Sequence, residues 1–391
     1  MSDETTNDIG LPEPLEDLPE GGYERQEKAP RDSFSPWHRP RKQYVREKQW
    51  TRAVAEILAG RDSADRLKYL GLPGIDLLDL RHLLKTVCEP TDRGLEFIGF
   101  DTAAGTAGPD ATELNVSETE LKAHHLVHLT SGIRPDDLRH VARKNTTAWR
   151  AVRTLAPVDV VNLDLTDNFY TDAPAASLSY PNALRELLAL QVANPNPWVL
   201  LVTTKVDRGT ASPAADEVVA LLNGKLDECD SLGERLAEVC DEPFDLSCFP
   251  TCSPKDFRIL TLVAMLQWIY SLTMVNTTVK SRPKVTSCFY YTSFTTGGAI
   301  DMASLVIRFD RQGIVLKDPL RKEEVDGNPA ADVCAALERY IDRVAGGRDI
   351  DGVVREDVNL RERLIQDAAD LLVAARYDRE AYMKWAETQA S

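Results

Sequence analysis

Glycines and carboxylates at the ends of apolar runs are the residues of this chain whose types and spacing could do chemistry. Between Leu67 and Asp101 a G-x-x-G turn (Gly71, Pro73, Gly74) breaks one apolar run, and Asp101 ends the next. Glycines there let the backbone approach a ligand, and a carboxylate closing the following strand can accept two ribose hydroxyls. In the second stretch, VDVVNLDLTDNF (Val158–Phe169), Asn162, Asp164, Asp167 and Asn168 collect at the end of a strand, and Lys205 ends the strand after it. One carboxylate beside a reacting centre suffices to orient or deprotonate an acceptor in an in-line displacement. Lys205 could neutralise charge on the acceptor or pair with Asp164. Asp136 and Asp137 could reach an adenine amino group or cap the next helix.

Asp76 and Asp79 place negative charge in a first helical turn, where a pyrophosphate would want bare N–H groups. That pattern argues against a phosphate-rich cofactor and leaves room for a cationic one. S-adenosylmethionine, with a sulfonium, an adenosine and no phosphate, meets the description. Each residue also has a plain alternative: an ordinary tight turn for the glycines, Asx caps and loop hydrogen bonds for the acids.

Several elements must position these residues. LKYLGL reads as a strand, Leu77 to Val87 as an amphipathic helix and LEFIGF as a second strand. Ser117 with Glu120 reads as a capping box opening a short helix, and Leu126–Leu129 as a third strand. A helix from about Pro135 to Leu155 leads to the strand at Val158–Leu163, and a helix near Ser179–Val192 leads to PWVLLVTTK. Lys284–Thr292 and Met302–Phe309 read as an antiparallel hairpin around Gly297-Gly298. The fold class expected is α/β: a Rossmann-like, doubly wound, mostly parallel sheet with a C-terminal antiparallel β-hairpin and extra helices at both ends. The division expected is an acidic disordered tail (1–36), a basic N-terminal helix (37–66), the α/β domain (67–318, with an insertion at 206–257) and a helical extension (319–391).

The chain has 391 residues, 43% of them hydrophobic, and 46 Lys and Arg against 62 Asp and Glu give a net charge of −16. A broad nucleic-acid-coating surface is excluded, so any nucleic-acid contact must be local. The candidate for one is the run His38–Arg52, with six basic residues against one acid: Arg41, Lys42 and Arg46 would touch phosphate, or the helix would lie on the sheet with its charges in water. Seven cysteines scattered over the chain suggest reduced thiols and a cytoplasmic protein rather than a disulfide framework. Cys229, Cys240, Cys248 and Cys252 lack a C-x2-C pair, so they read as packed or free thiols and no metal site is expected. Ile259–Val279 carries no formal charge but contains Gln267 and Asn276, and reads as a buried core helix rather than a membrane span. Leu360, Leu364, Ala368 and Leu371 or Leu372 form a helical stripe for packing on the body or on a partner protein.

Five βα-type units followed by a hairpin resemble the class I S-adenosylmethionine-dependent methyltransferases, over roughly Leu67 to Asp310. LGLPG (Leu70–Gly74) stands in the place of the family's first motif, Asp101 in that of the ribose-binding acid, Asp136 or Asp137 in that of the adenine-side acid, and NLDLTD (Asn162–Asp167) in that of the catalytic motif. The resemblance implies an S-adenosylmethionine-binding protein, and the Arg-, Ala- and Asp-rich composition suggests a bacterial one. Its cofactor would be held by Gly71, Pro73, Gly74, Asp101, Asp136 and Asn162, and Asp164, Asp167 and Lys205 would act on an unknown acceptor. Tyr69 and Leu70 replace the usual acidic strand residue, and the last motif lacks prolines. The alternative is a catalytically silent binding or scaffold subunit of the same fold; a nucleotide-sensing module is a third reading.

Overall fold

The computed structural model describes residues 29–171, 178–192, 194–241, 246–274, 280–293, 298–312 and 329–389. The acidic stretch before residue 29 and Gly297 lie outside them. At the centre is one sheet of eight strands: β1 (Leu67–Gly71), β2 (Leu95–Phe100), β3 (Gly132–Arg134), β4 (Val160–Asn168), β5 (Trp198–Lys205), β6 (Lys280–Tyr291), β7 (Met302–Gln312) and the two-residue β8 (Arg348–Asp349). Their spatial order is β3-β2-β1-β4-β5-β7-β6-β8. β1 to β5 run parallel, and β7 enters antiparallel between β5 and β6. β5 is buried from Trp198 to Thr204 because both faces of the sheet are covered, as a near-continuous apolar run in a parallel sheet demands.

Helices Thr147–Leu155, Tyr180–Gln191, Ala214–Leu226, Pro254–Met274 and Pro329–Ala345 cover one face. On the other lie helix Pro109–Lys122, the helix opening at Leu78 and a continuous N-terminal helix built of Pro40–Val45, a π-helical Arg46–Thr51 and Arg52–Leu58. The widened π turn brings Arg46, Gln49 and Trp50 to the buried side. Gln49 bonds to Ser304 of β7 in both directions, Nε2 to the carbonyl at 2.8 Å and Oε1 from the hydroxyl at 2.7 Å. Gly60, at φ +79°, turns the chain towards β1. A third, smaller core joins Phe34 and Leu78 to helices Val358–Val373 and Arg379–Gln389.

Several expectations are corrected. The third strand is Gly132–Arg134, not Leu126–Leu129: Val127 is buried and makes a single bridge to Leu95, while Leu129 is 82% exposed, so LVHL adds one bridge and no strand. Ser117 does not open a helix; it is buried inside one that starts at Pro109, where proline at the first position suits a helix start. The helix expected from Pro135 to Leu155 is broken: a 3-10 turn, Leu138–Ala142, precedes helix Thr147–Leu155, which Thr146 caps. Residues 29–36, assigned by composition to the disordered tail, are placed, with Arg31 bridging to Tyr377. Cys229 and Cys334, 105 residues apart, form a disulfide at a Cα separation of 5.5 Å, tying helices Asp230–Val239 and Pro329–Ala345 together. Helix Pro254–Met274 is long and apolar enough to cross a membrane and is mostly buried within the fold.

Candidate functional site at the carboxyl edge of the sheet

The ends of β1, β2, β4, β5 and β6 meet at one edge, where open α/β sheets bind ligands. Gly71 pairs with Asn162 across β1 and β4, and a Cβ at Gly71 would stand 2.5 Å from the Asn162 carbonyl oxygen. That glycine lets two strands approach. Gly74, at φ +64° with open space around it, is the residue whose backbone demands glycine. Pro73 lies on β2, its Cγ 2.8 Å from where a Cβ of Gly99 would be.

The acids at the ends of β2, β3 and β4 serve local structure. Asp101 accepts from the Ala103 N–H at 2.8 Å and caps the 3-10 turn Thr102–Gly105. Asp136 accepts from the Asp137 N–H at 2.9 Å and holds the His140 ring, and Asp137 grips Arg139. Asp167 accepts from the Asn168 N–H at 2.8 Å and is exposed. Lys205 ends β5 opposite Asn168 and Met302. Asn162 is fully buried: its Nδ2 donates to the Tyr69 hydroxyl at 3.0 Å, while its Oδ1 has no protein partner.

The centre of the edge is filled by the N-terminal helix. Lys42 Nζ donates to Asp164 Oδ1 at 2.5 Å and lies 4.5 Å from the centre of the Trp50 ring; Arg46 Nε donates to Asp79 Oδ1 at 2.8 Å. Lys42, Arg46 and Asp79 are each 4% exposed. Burial raises the Asp79 carboxyl above its ordinary range and the Asp164 charge adds to the rise, against the pull of Arg46 and Lys42. Burial also pushes the hydroxyls of Tyr69 and Tyr291 well up, so both line this layer as neutral groups. Arg41 turns the other way and pairs with Asp351 at 3.0 Å. Arg41, Lys42 and Arg46 therefore point into the protein, which corrects the expectation of a helix with its charges in water.

A second cluster holds the β1 turn. Asp76, 3% exposed, accepts from Arg31 at 2.5 Å and from the Tyr377 hydroxyl at 2.9 Å, with His38 Nε2 at 3.3 Å. Burial pushes the Asp76 carboxyl up, but His38 and Arg31 together outweigh it and hold it below its usual value. The His38 ring is lowered, burial exceeding the help of Asp76. The cationic partner that Asp76 and Asp79 call for is thus supplied by the chain itself. Arg31, His38 and Tyr377 were not among the residues expected here; the one signal in the sequence is a basic run of the sign these acids need, lying just upstream of them.

A cavity of about 90 Å³ at this edge is lined by Trp37, Lys42, Asp164, Thr203, Tyr291 and Met302, among others. Ligand sites for small molecules run from roughly 300 Å³ upward, so it admits a few waters and not an adenosyl group. Among the described residues no group of three or more His, Cys, Asp or Glu side chains gathers as a metal site.

The strand order with an antiparallel β7 inserted between β5 and β6 defines a Rossmann-like, mostly parallel α/β sheet closed by a C-terminal antiparallel hairpin. Residues 31–387 match the PP_RS20740-like family, and the chain belongs to it. No curated protein matches the chain. Among solved structures it is similar to a candidate class I S-adenosylmethionine-dependent methyltransferase from Listeria monocytogenes. The two share 12% identity over 77% of this chain and 70% of that one, with a TM-score of 0.36.

Proposed function

We propose that this protein is a binding or scaffold subunit with a methyltransferase-like fold, whose ligand edge is closed by its own N-terminal helix and which acts without methyl transfer. The observation that carries the reading is the ionic layer Lys42–Asp164 and Arg46–Asp79. A sulfonium entering beside Asp79 or Asp164 would have to displace a buried, hydrogen-bonded cation, and leaving one partner of such a pair unpaired costs about 3–5 kcal/mol. The residues as placed therefore do not fit S-adenosylmethionine. A bacterial, cytoplasmic protein partner is the binding role we assign. Titration calorimetry of the full chain with S-adenosylmethionine and S-adenosylhomocysteine tests this: no binding heat is expected, and micromolar binding lost in Asp101→Ala would overturn the reading.

A second reading is S-adenosylmethionine-dependent methylation of an unidentified acceptor, with the N-terminal helix as a removable plug. It is favoured by Asn162 Oδ1, buried beside Gly71 without a partner. On this reading Lys42→Ala would open the edge and raise cofactor affinity at least tenfold. Unchanged affinity would remove the reading.

A further inference from the structure

At the opposite edge of the sheet, where β6 begins and β7 ends, a cavity of about 750 Å³ lies between these strands and helix Pro329–Ala345. Its wall carries Arg282, Lys284, Arg311, Arg339 and Arg343 against two acids, Asp310 and Asp342. Both acids are engaged elsewhere, Asp310 by Arg308 at 2.8 Å and Asp342 by Arg235 at 2.6 Å. Arg282 reaches Asp332 at 3.3 Å, yet its Nε is buried without a partner. Among the described residues no carboxylate pairs with Lys284, Arg311, Arg339 or Arg343. In a chain of net charge −16, five cations facing two acids around one cavity leave, among the described residues, an excess of positive charge that a bound anion would neutralise.

We propose that this cavity is a binding site for a small phosphate-bearing ligand, read through its phosphate chain. Guanidinium forks match phosphate oxygens two at a time, and the volume falls in the range of about 300–1,000 Å³ that holds small molecules. A peptide strand added along β6 suits the site less well. Pro283 offers no N–H there, and its carbonyl already accepts from the Tyr340 hydroxyl at 2.8 Å. The same bond spends the Tyr340 hydroxyl, so the charged groups of this wall are left to do the recognition.

Calorimetry of the full chain with inorganic tripolyphosphate tests the proposal. Saturable, salt-sensitive binding is expected, weakened about tenfold or more in an Arg339→Ala/Arg343→Ala variant of unchanged circular dichroism. An Arg339→Lys/Arg343→Lys variant should bind more weakly than the unaltered chain and more tightly than the alanine variant, because the charge stays while the paired N–H donors are lost. Adenosine triphosphate should bind about as tightly as tripolyphosphate and adenosine not at all, since the phosphate chain is what is read. Absence of binding, or equal affinity in the alanine variant, overturns the proposal. It also falls if a single-stranded oligonucleotide uses the same arginines far more tightly than tripolyphosphate, because the surface would then belong to a nucleic acid.

Discussion

Asp164 shows how far one side chain's role depends on what stands opposite it. Alone at the end of β4 it is a candidate base; beside Lys42 it is half of a structural ion pair. Lys42→Ala is expected to cost about 3 kcal/mol in urea unfolding, because it strands a largely buried carboxylate, whereas Lys42→Met combined with Asp164→Leu recovers most of that loss. Equal instability of the single and double variants would show that the pair is not what Lys42 contributes. Gly71 and Gly74 separate in the same way. Gly71→Ala, 2.5 Å from a backbone carbonyl, should be destabilised by about 2–3 kcal/mol. Gly74→Ala, strained only in its φ, should lose about 1 kcal/mol. The reverse order in denaturant midpoints would count against the close approach of β1 and β4.

At the level of elements, the two ends of the chain meet over the β1 turn. Tyr382 of helix Arg379–Gln389 donates to the His38 carbonyl at 2.7 Å, and Phe34 packs against Tyr377, Tyr382 and Trp385. Removing residues 379–389 should release residues 29–45, seen as accelerated amide hydrogen exchange there while the strands stay protected. Unaltered exchange at 29–45 would mean that the N-terminal helix holds itself in place. The apolar stripe at Leu364, Ala368, Leu371 and Leu372 is spent on the chain's own body. Across the molecule, the Cys229–Cys334 link closes a loop of about a hundred residues, so replacing both with alanine should cost about 2–4 kcal/mol. Thiol titration of the unreduced, unfolded protein should find two fewer thiols than the seven in the sequence.

Acid sensitivity is expected from three groups that resist protonation in the fold, against Asp79 and Asp351, whose raised carboxyls act in the opposite direction. Burial lowers His82 to about 4, Arg46 adding to the effect, and lowers His38, while the Asp76 carboxyl is held below its ordinary value by its partners. Each binds fewer protons folded than unfolded. Their contribution is complete above the unfolded pKa and is lost as pH falls through the folded one. Stability should therefore drop from about pH 6.5 towards pH 4, and His82→Gln should remove up to about 3 kcal/mol of that drop. A pH profile identical in that variant would show that His82 titrates freely.

The sequence by itself determined the parallel sheet, its antiparallel hairpin and the buried helix Pro254–Met274, because apolar runs of strand and helix length carry their burial in their own periodicity. It also set out Asp79, Asp164 and the basic run as charges in search of partners. Which charge met which was decided only by tertiary structure: an ion pair between residues 42 and 164 depends on where a helix lies across a sheet, and no local pattern encodes that. The short β3 and the Cys229–Cys334 link escaped for the same reason, since a three-residue strand and a partner 105 residues away leave no periodic trace. Sequence placed acids where a cation belongs; packing of the chain's two ends over the β1 turn made that cation the protein's own.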